Sequence, residues 1–296
     1  MLDRLVGFAI VIATLGLAAP SNATAEAKAQ FETSKVVIPF DASRKHLAIK
    51  VHINGQGPFD FNVDTYASCE ACVDHELAKR LELPIVGTAQ NGDGSGKTVQ
   101  RDLVGITELS LGGATFTEVT ALVDDYRWVT APDGDPIDGL IGYELFKRLL
   151  LTVDYPNHRI EFSRGALDAD EHTIEGVSND GTPDVTLTIG DREFHVGIDT
   201  GSTGTLSLPA DRFDELTLAS EPRLVGRART VYSTEDIFDA TLAERVGLAG
   251  FTREDQVVSS SKLFGHPLLG YGILRDYAVT FDQVGGRIRF ARPTND

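Results

Sequence analysis

The 296-residue chain is short of cysteine, of positive charge and, beyond its first 25 residues, of long apolar runs. Its two cysteines, Cys69 and Cys72, form a single C-x-x-C, too little for a disulfide framework. No βαβ pattern surrounds the pair to suggest a thioredoxin-like site, and no second pair exists to complete a tetrahedral zinc site. In an exported protein these thiols can close a short disulfide or stay reduced, and the sequence leaves both open. The seven histidines fall at no metal-ligand spacing, so neither metal nor cofactor is expected. Only 27 bases stand against 44 acids, a net charge of −17. Such a chain repels phosphate backbones and anionic lipid, which argues against nucleic acid and membrane surfaces as partners. No segment after residue 25 is apolar enough to span a bilayer. Serine-hydrolase chemistry also lacks support, because Gly201-Ser202-Thr203 is no G-x-S-x-G nucleophile elbow.

Residues 1–25 are the apolar exception. Asp3 and Arg4 precede "LVGFAIVIATLGLAA", and Ala23-Thr24-Ala25 follows. The run is shorter than the ~20 residues a spanning helix needs, and small residues close it, as in a secretory signal cleaved before Glu26. The competing reading is a lasting N-terminal anchor. No cysteine follows closely enough for a lipoprotein. The expected product is soluble and exported, periplasmic or secreted. It keeps the charge of −17, since one acid and one base leave with the signal.

What the chain has in quantity is itself. "DGLIGYELFKRLLLTVDYPNHRIEFSR" (138–164) lies over "HPLLGYGILRDYAVTFDQVGGRIRFAR" (266–292) at a constant offset of 128 residues. Leu140 meets Leu268, Gly142 meets Gly270, Tyr143 meets Tyr271, and Asp154 meets Asp282. Earlier, "FDFNVDTYASCEACVD" (59–74) and "FHVGIDTGSTGTLSLP" (194–209) align at an offset of 135, pairing Asp64 with Asp199 and Thr65 with Thr200. Two motifs in the same order with the same flanks mean duplication.

Each copy has one grammar. A period-2 strand, a Gly-containing turn and a second strand ending at Asp-Thr read as a hairpin. A polar segment and further strands follow, then an apolar-apolar-Gly, a short helix ("YELFKRLL", "YGILRDY") and a closing hairpin. Many short strands with little helix predict an all-β fold of two tandem closed β-barrel lobes. The expected boundaries are 31–165 and 182–296, joined by the polar linker 166–181.

Asp-Thr-Gly alone is weak: it arises by accident roughly once in twenty chains of this size, usually as a strand-ending turn. Here it ends an apolar strand after a hairpin, precedes an apolar-apolar-Gly by some 70 residues, and recurs. That ensemble resembles the aspartic peptidases, of pepsin-like and retroviral type. Ile198-Asp199-Thr200-Gly201-Ser202 matches their first signature, and Val63-Asp64-Thr65-Tyr66-Ala67 matches it imperfectly. Leu140-Ile141-Gly142 and Leu268-Leu269-Gly270 match the second. The resemblance covers almost all of the chain after residue 25 and is closest to a bacterial exported, retropepsin-like protein with two fused lobes about a pseudo-two-fold axis. It implies that Asp64 and Asp199 meet between the lobes and share one proton, one serving as base and the other as acid below neutral pH. It further implies that Thr65 and Thr200 cross-brace the two loops, with Gly201 and Ser202 supporting the dyad. The substrate would be a polypeptide, bound extended. Segment 90–102, with Gly92, Gly94 and Gly96, sits where the family has its flap; the plainer reading is an exposed loop. Tyr232 is either an aromatic lid or an edge-strand tyrosine. His266, just before Leu268-Leu269-Gly270, is the histidine nearest to a role at the cleft.

Tyr66 departs from the family's glycine. It would need that glycine's backbone angle, or an altered turn, and its ring would either point away from the dyad or fill the cleft. Ser202, opposite Ala67, offers a hydroxyl that would make Asp199 the more readily ionised acid. Three functions compete: a monomeric aspartic endopeptidase using Asp64 and Asp199, a catalytically silent peptide-binding protein, and a homodimeric protease pairing two Asp199 residues.

Overall fold

The computed structural model describes residues 26–41, 45–92, 97–127, 136–176, 181–229 and 233–293. Residues 1–25, Gly94, Gly96 and Tyr232 lie outside the described residues.

The strand-forming signals of the sequence become strands. In the first copy Ala48–Ile53 and Gln56–Asp64 pair antiparallel, burying Ile49, Val51 and Ile53 on one face. Asn54 and Gly55 both take positive φ (51° and 74°), the requirement of a tight turn whose twist matches its strands. In the second copy Asp184–Ile189 pairs with Arg192–Ile198 across Gly190, at φ 59°. The first copy builds an eight-stranded sheet and the second a nine-stranded one.

A third, six-stranded sheet joins the copies. It runs Thr173–Glu175, Arg287–Ala291, Ala278–Asp282, Leu150–Asp154, Arg159–Ser163, Lys35–Pro39. At its middle Leu150–Asp154 lies antiparallel to Ala278–Asp282 in a register that sets Thr152 opposite Thr280, with their hydroxyls 2.9 Å apart. Thr280 is the repeat counterpart of Thr152 at the offset of 128. A residue faces its own copy only on a two-fold axis, so the duplication is also a local symmetry of the molecule. One continuous apolar cluster runs through both copies, from Val36 and Phe61 to Val196 and Phe290.

Within the polar stretch, residues 166–176 are more ordered than their polarity suggests. Thr173–Glu175 adds a strand to the shared sheet, and half-buried Ile174 packs on the core. The predicted helices are short: a 3₁₀ turn at Tyr143–Phe146 and one α-turn at Tyr271–Leu274. Two further helices, His75–Arg80 and Ala210–Phe213, were not legible in the sequence. The former starts where the Asp74 side chain accepts the Glu76 amide.

Candidate active site

The strand Gln56–Asp64 delivers Asp64, and Arg192–Ile198 delivers Asp199 one residue beyond its end. Each runs parallel to an apolar-apolar-Gly segment: Asn62, Val63 and Asp64 lie beside Leu140, Ile141 and Gly142, while Gly197 and Ile198 lie beside Leu268 and Leu269. The motif glycines are needed for close passage. A Cβ on Gly142 would stand 2.1 Å from the Cys69 carbonyl oxygen and 2.7 Å from that of Ala67; on Gly270 it would stand 2.7 Å from that of Gly204. These carbonyls belong to the loops after the aspartates. The amides of Tyr143 and Glu144 bind the first loop, at Ala67 O and Cys69 O (3.0 and 3.2 Å), and those of Tyr271 and Gly272 bind the second, at Ser202 O and Gly204 O (2.9 and 2.8 Å). Gly142→Ala must therefore push the Asp64 loop off its support. We expect a stability loss of about 2–4 kcal/mol, read from the denaturation midpoint, together with reduced activity.

The two loops are locked reciprocally. The Thr65 hydroxyl donates to Ile198 O (2.6 Å) and accepts from the Thr200 amide (3.2 Å). The Thr200 hydroxyl donates to Val63 O (2.9 Å) and accepts from the Thr65 amide (3.0 Å). All four bonds are buried, so none competes with water.

This brace brings Asp64 and Asp199 together, 1% and 0% exposed. A Cβ on Gly201 would lie 2.5 Å from Asp64 Oδ2 and 3.2 Å from Asp199 Oδ1, so the absent side chain makes room for both carboxyls. Asp64 Oδ1 accepts the Tyr66 amide at 2.9 Å. Asp64 Oδ2 and both Asp199 oxygens lack a well-formed hydrogen bond, although the amides of Gly201 and Ser202 face Asp199. A single proton between the two groups turns one acceptor into a donor. Burial pushes Asp64 up to about 7, with the Tyr66 amide and a hydrogen bond from Asp199 offsetting part of the effect. Burial, and then the Asp64 charge, push Asp199 well above the usual carboxylate range. The Tyr66 amide meets Asp64 squarely, while Ser202 Oγ accepts the Gly204 amide at 3.3 Å.

Tyr66 escapes the predicted backbone conflict: neither it nor Gly201 takes positive φ. Its buried ring lies over Gly197, where a Cβ would come within 2.1 Å of Tyr66 Cε2. It joins Ile237, Leu263, Phe264 and Leu268 of the second copy in an apolar cluster. His266 stacks on it (centroids 6.1 Å apart, planes 8° apart), with its Nε2 3.2 Å from Asp184 Oδ2. The ring thus leans into the wall of the second copy and does not separate the carboxyls.

Segment 90–102 takes part in a hairpin of Ile85–Gly92 and Thr98–Leu111, with Gly92 buried at the end of the first strand. Arg223–Arg229 and Thr234–Thr241 form its counterpart. Cys69 and Cys72 are free thiols in mutual hydrogen-bond contact, and that contact, with burial, pushes Cys69 up. Asp74, His75 and Asp125 bring potential ligand atoms within 4.8 Å of one another. The Asp74 oxygens, however, are committed to the amides of Glu76 and Tyr126.

Two neighbours of the dyad were not found from the sequence. The His46 ring reaches the backbone of Gly201 and has a buried, unpartnered Nδ1; burial pushes its pKa down. The Tyr155 hydroxyl is buried without a partner and is pushed up by burial and by the charge of Asp199. Both break the repeat, since Gly181 and Gln283 stand at the corresponding offsets. That asymmetry was the available signal.

Paired buried carboxyls on twin loops, related by a local two-fold axis and cross-braced by threonines, define a site of the aspartic peptidase class. Residues 49–145, about a third of the chain, match the family described as aspartyl protease. The matched segment carries Asp64 and Leu140-Ile141-Gly142; Asp199 lies outside it. No curated protein matches the chain.

Proposed function

We propose that the protein is an exported, single-chain aspartic endopeptidase whose catalytic pair is Asp64 and Asp199. The observation that carries this reading is the pair of buried carboxyls with unpartnered oxygens, held together by the Thr65–Thr200 brace. Asp64, whose Oδ1 accepts the Tyr66 amide, serves as the base and takes a proton from water as the water oxygen attacks the scissile carbonyl carbon. Asp199 gives its proton to the carbonyl oxygen. When the tetrahedral intermediate collapses, Asp64 passes its new proton to the leaving nitrogen and Asp199 recovers one from the diol. The carboxyls are closed to solvent, so entry of substrate and water requires the surrounding chain to part. Residues 1–25 support export, and a pair assembled within one chain favours the monomer over two chains pairing Asp199.

Cleavage of denatured protein, blocked by a statine-type peptide, tests the reading. Its pH dependence is a sharper check. With Asp64 raised to about 7, the working monoanion accumulates only as pH climbs toward neutrality. The acid limb of kcat/KM should therefore be centred well above the 3–4 of an ordinary carboxylate. A limb centred near 4 would contradict the proposed closed, desolvated dyad.

A further inference from the structure

We propose that Tyr66 sets the cleavage preference. Its ring fills the side-chain pocket of the second copy beside the dyad, so the substrate residue lodged on that side of the scissile bond must be Gly, Ala or Ser. The residue on the other side can be large. This inference rests on the hydrolase reading above and names the class of bond cut.

The argument starts from the two-fold axis. An extended peptide crossing the dyad meets equivalent positions of the two copies on either side, namely the residues that follow Asp64-Thr65 and Asp199-Thr200. On one side this is Gly201, which has no side chain; on the other it is Tyr66. The walls differ in a matching way. Asn62 and Gly197 are repeat counterparts, each beside the first leucine of its apolar-apolar-Gly segment, Leu140 or Leu268. Each copy carries a small apolar cluster around that leucine, separate from the main core. The first copy completes its cluster with its own residues, Tyr126 and Ile137 among them. The second has Gly197 in place of a side chain and is completed by a ring from the first copy.

Tyr66 and Gly197 therefore form a complementary pair: the glycine missing from one loop reappears as the glycine that the ring needs. The ring lies against Gly197 and stacks with His266, which is anchored beside Asp184. Ile237, from the strand Thr234–Thr241, closes the same cluster. A substrate side chain competing for this volume would have to expel a buried phenol ring.

The test compares the wild-type protein with Tyr66→Ala and Tyr66→Leu on peptides from denatured casein, with cut sites read by mass spectrometry. The wild type should favour small residues at one flank of the cut by about tenfold or more and show no such rule at the other. Tyr66→Ala should shift that flank to Leu and Phe. Tyr66→Leu should fall between, and it keeps the test decisive if the alanine variant does not fold. Equal acceptance of Leu and Phe at both flanks by the wild type, or a preference unchanged by both substitutions, overturns the inference. Binding of the same peptides to Asp199→Asn, followed by fluorescence anisotropy, separates it from the hydrolase reading. Binding that obeys the small-residue rule without any hydrolysis by the wild type defeats that reading and leaves the role of Tyr66 standing. Neither cleavage nor binding defeats both.

Discussion

Asp199→Asn is expected to abolish hydrolysis, lowering kcat/KM by about three to four orders of magnitude, and Asp64→Asn should do the same. An amide in place of either carboxyl removes the shared proton, which is the function of the pair, so the two losses should not add. The two-chain alternative predicts otherwise: Asp64→Asn would stay active and the protein would sediment as a dimer. Stability provides an independent reading. Asp64 is raised from 3.8 to about 7 in the folded state, so the native protein holds this proton more tightly than the unfolded chain does. The fold is then most stable below about 4 and loses stability as pH rises from there to about 7. Asparagine does not ionise. The melting temperature of Asp64→Asn should exceed that of the wild type at pH 8 and approach it at pH 4. A wild-type melting curve flat between pH 4 and 8 would mean that the carboxyl is not desolvated.

Much of this architecture was legible because it was written twice. The Asp-Thr pairs, the apolar-apolar-Gly segments and the closing hairpins sit at fixed offsets, and a duplicated strand must face its own copy somewhere, as Thr152 faces Thr280. What stayed hidden lies where the copies differ. His46 and Tyr155 are single-copy residues whose relevance is a matter of packing around the dyad, and no local pattern announces them. The strand at Thr173–Glu175 was hidden for another reason: a short polar edge strand gains its identity from Arg287–Ala291 and not from its own periodicity. Ser202 advertises a donor in the sequence, but its Oγ accepts the Gly204 amide, while the Tyr66 amide that meets Asp64 is a group every residue but proline possesses. Tyr66 itself stood out as a flaw in a motif. Its meaning came from Gly197, 131 residues away, which no reading of the motif alone would have paired with it.

Thr200→Val should be the most damaging conservative change outside the carboxyls. Valine keeps the shape but leaves the Thr65 amide without its acceptor and Val63 O without its hydroxyl donor, both in the dry interior. At about 1–3 kcal/mol for each of the two stranded groups, the expected cost is about 2–6 kcal/mol, read from chemical denaturation. Thr65→Val strands a different pair, Ile198 O and the Thr200 amide. The two substitutions strand no group in common, so simple bond counting predicts additive losses. A brace predicts less than additivity: once either hydroxyl is gone the loops can separate, and the surviving bonds no longer hold them in register. Thr200→Ser, which keeps the hydroxyl, should recover most of the stability and the activity. If Thr200→Val costs under about 1 kcal/mol and leaves kcat intact, these bonds do not set the approach of the carboxyls, which must then be held by the parallel pairing of each aspartate strand with its apolar-apolar-Gly partner.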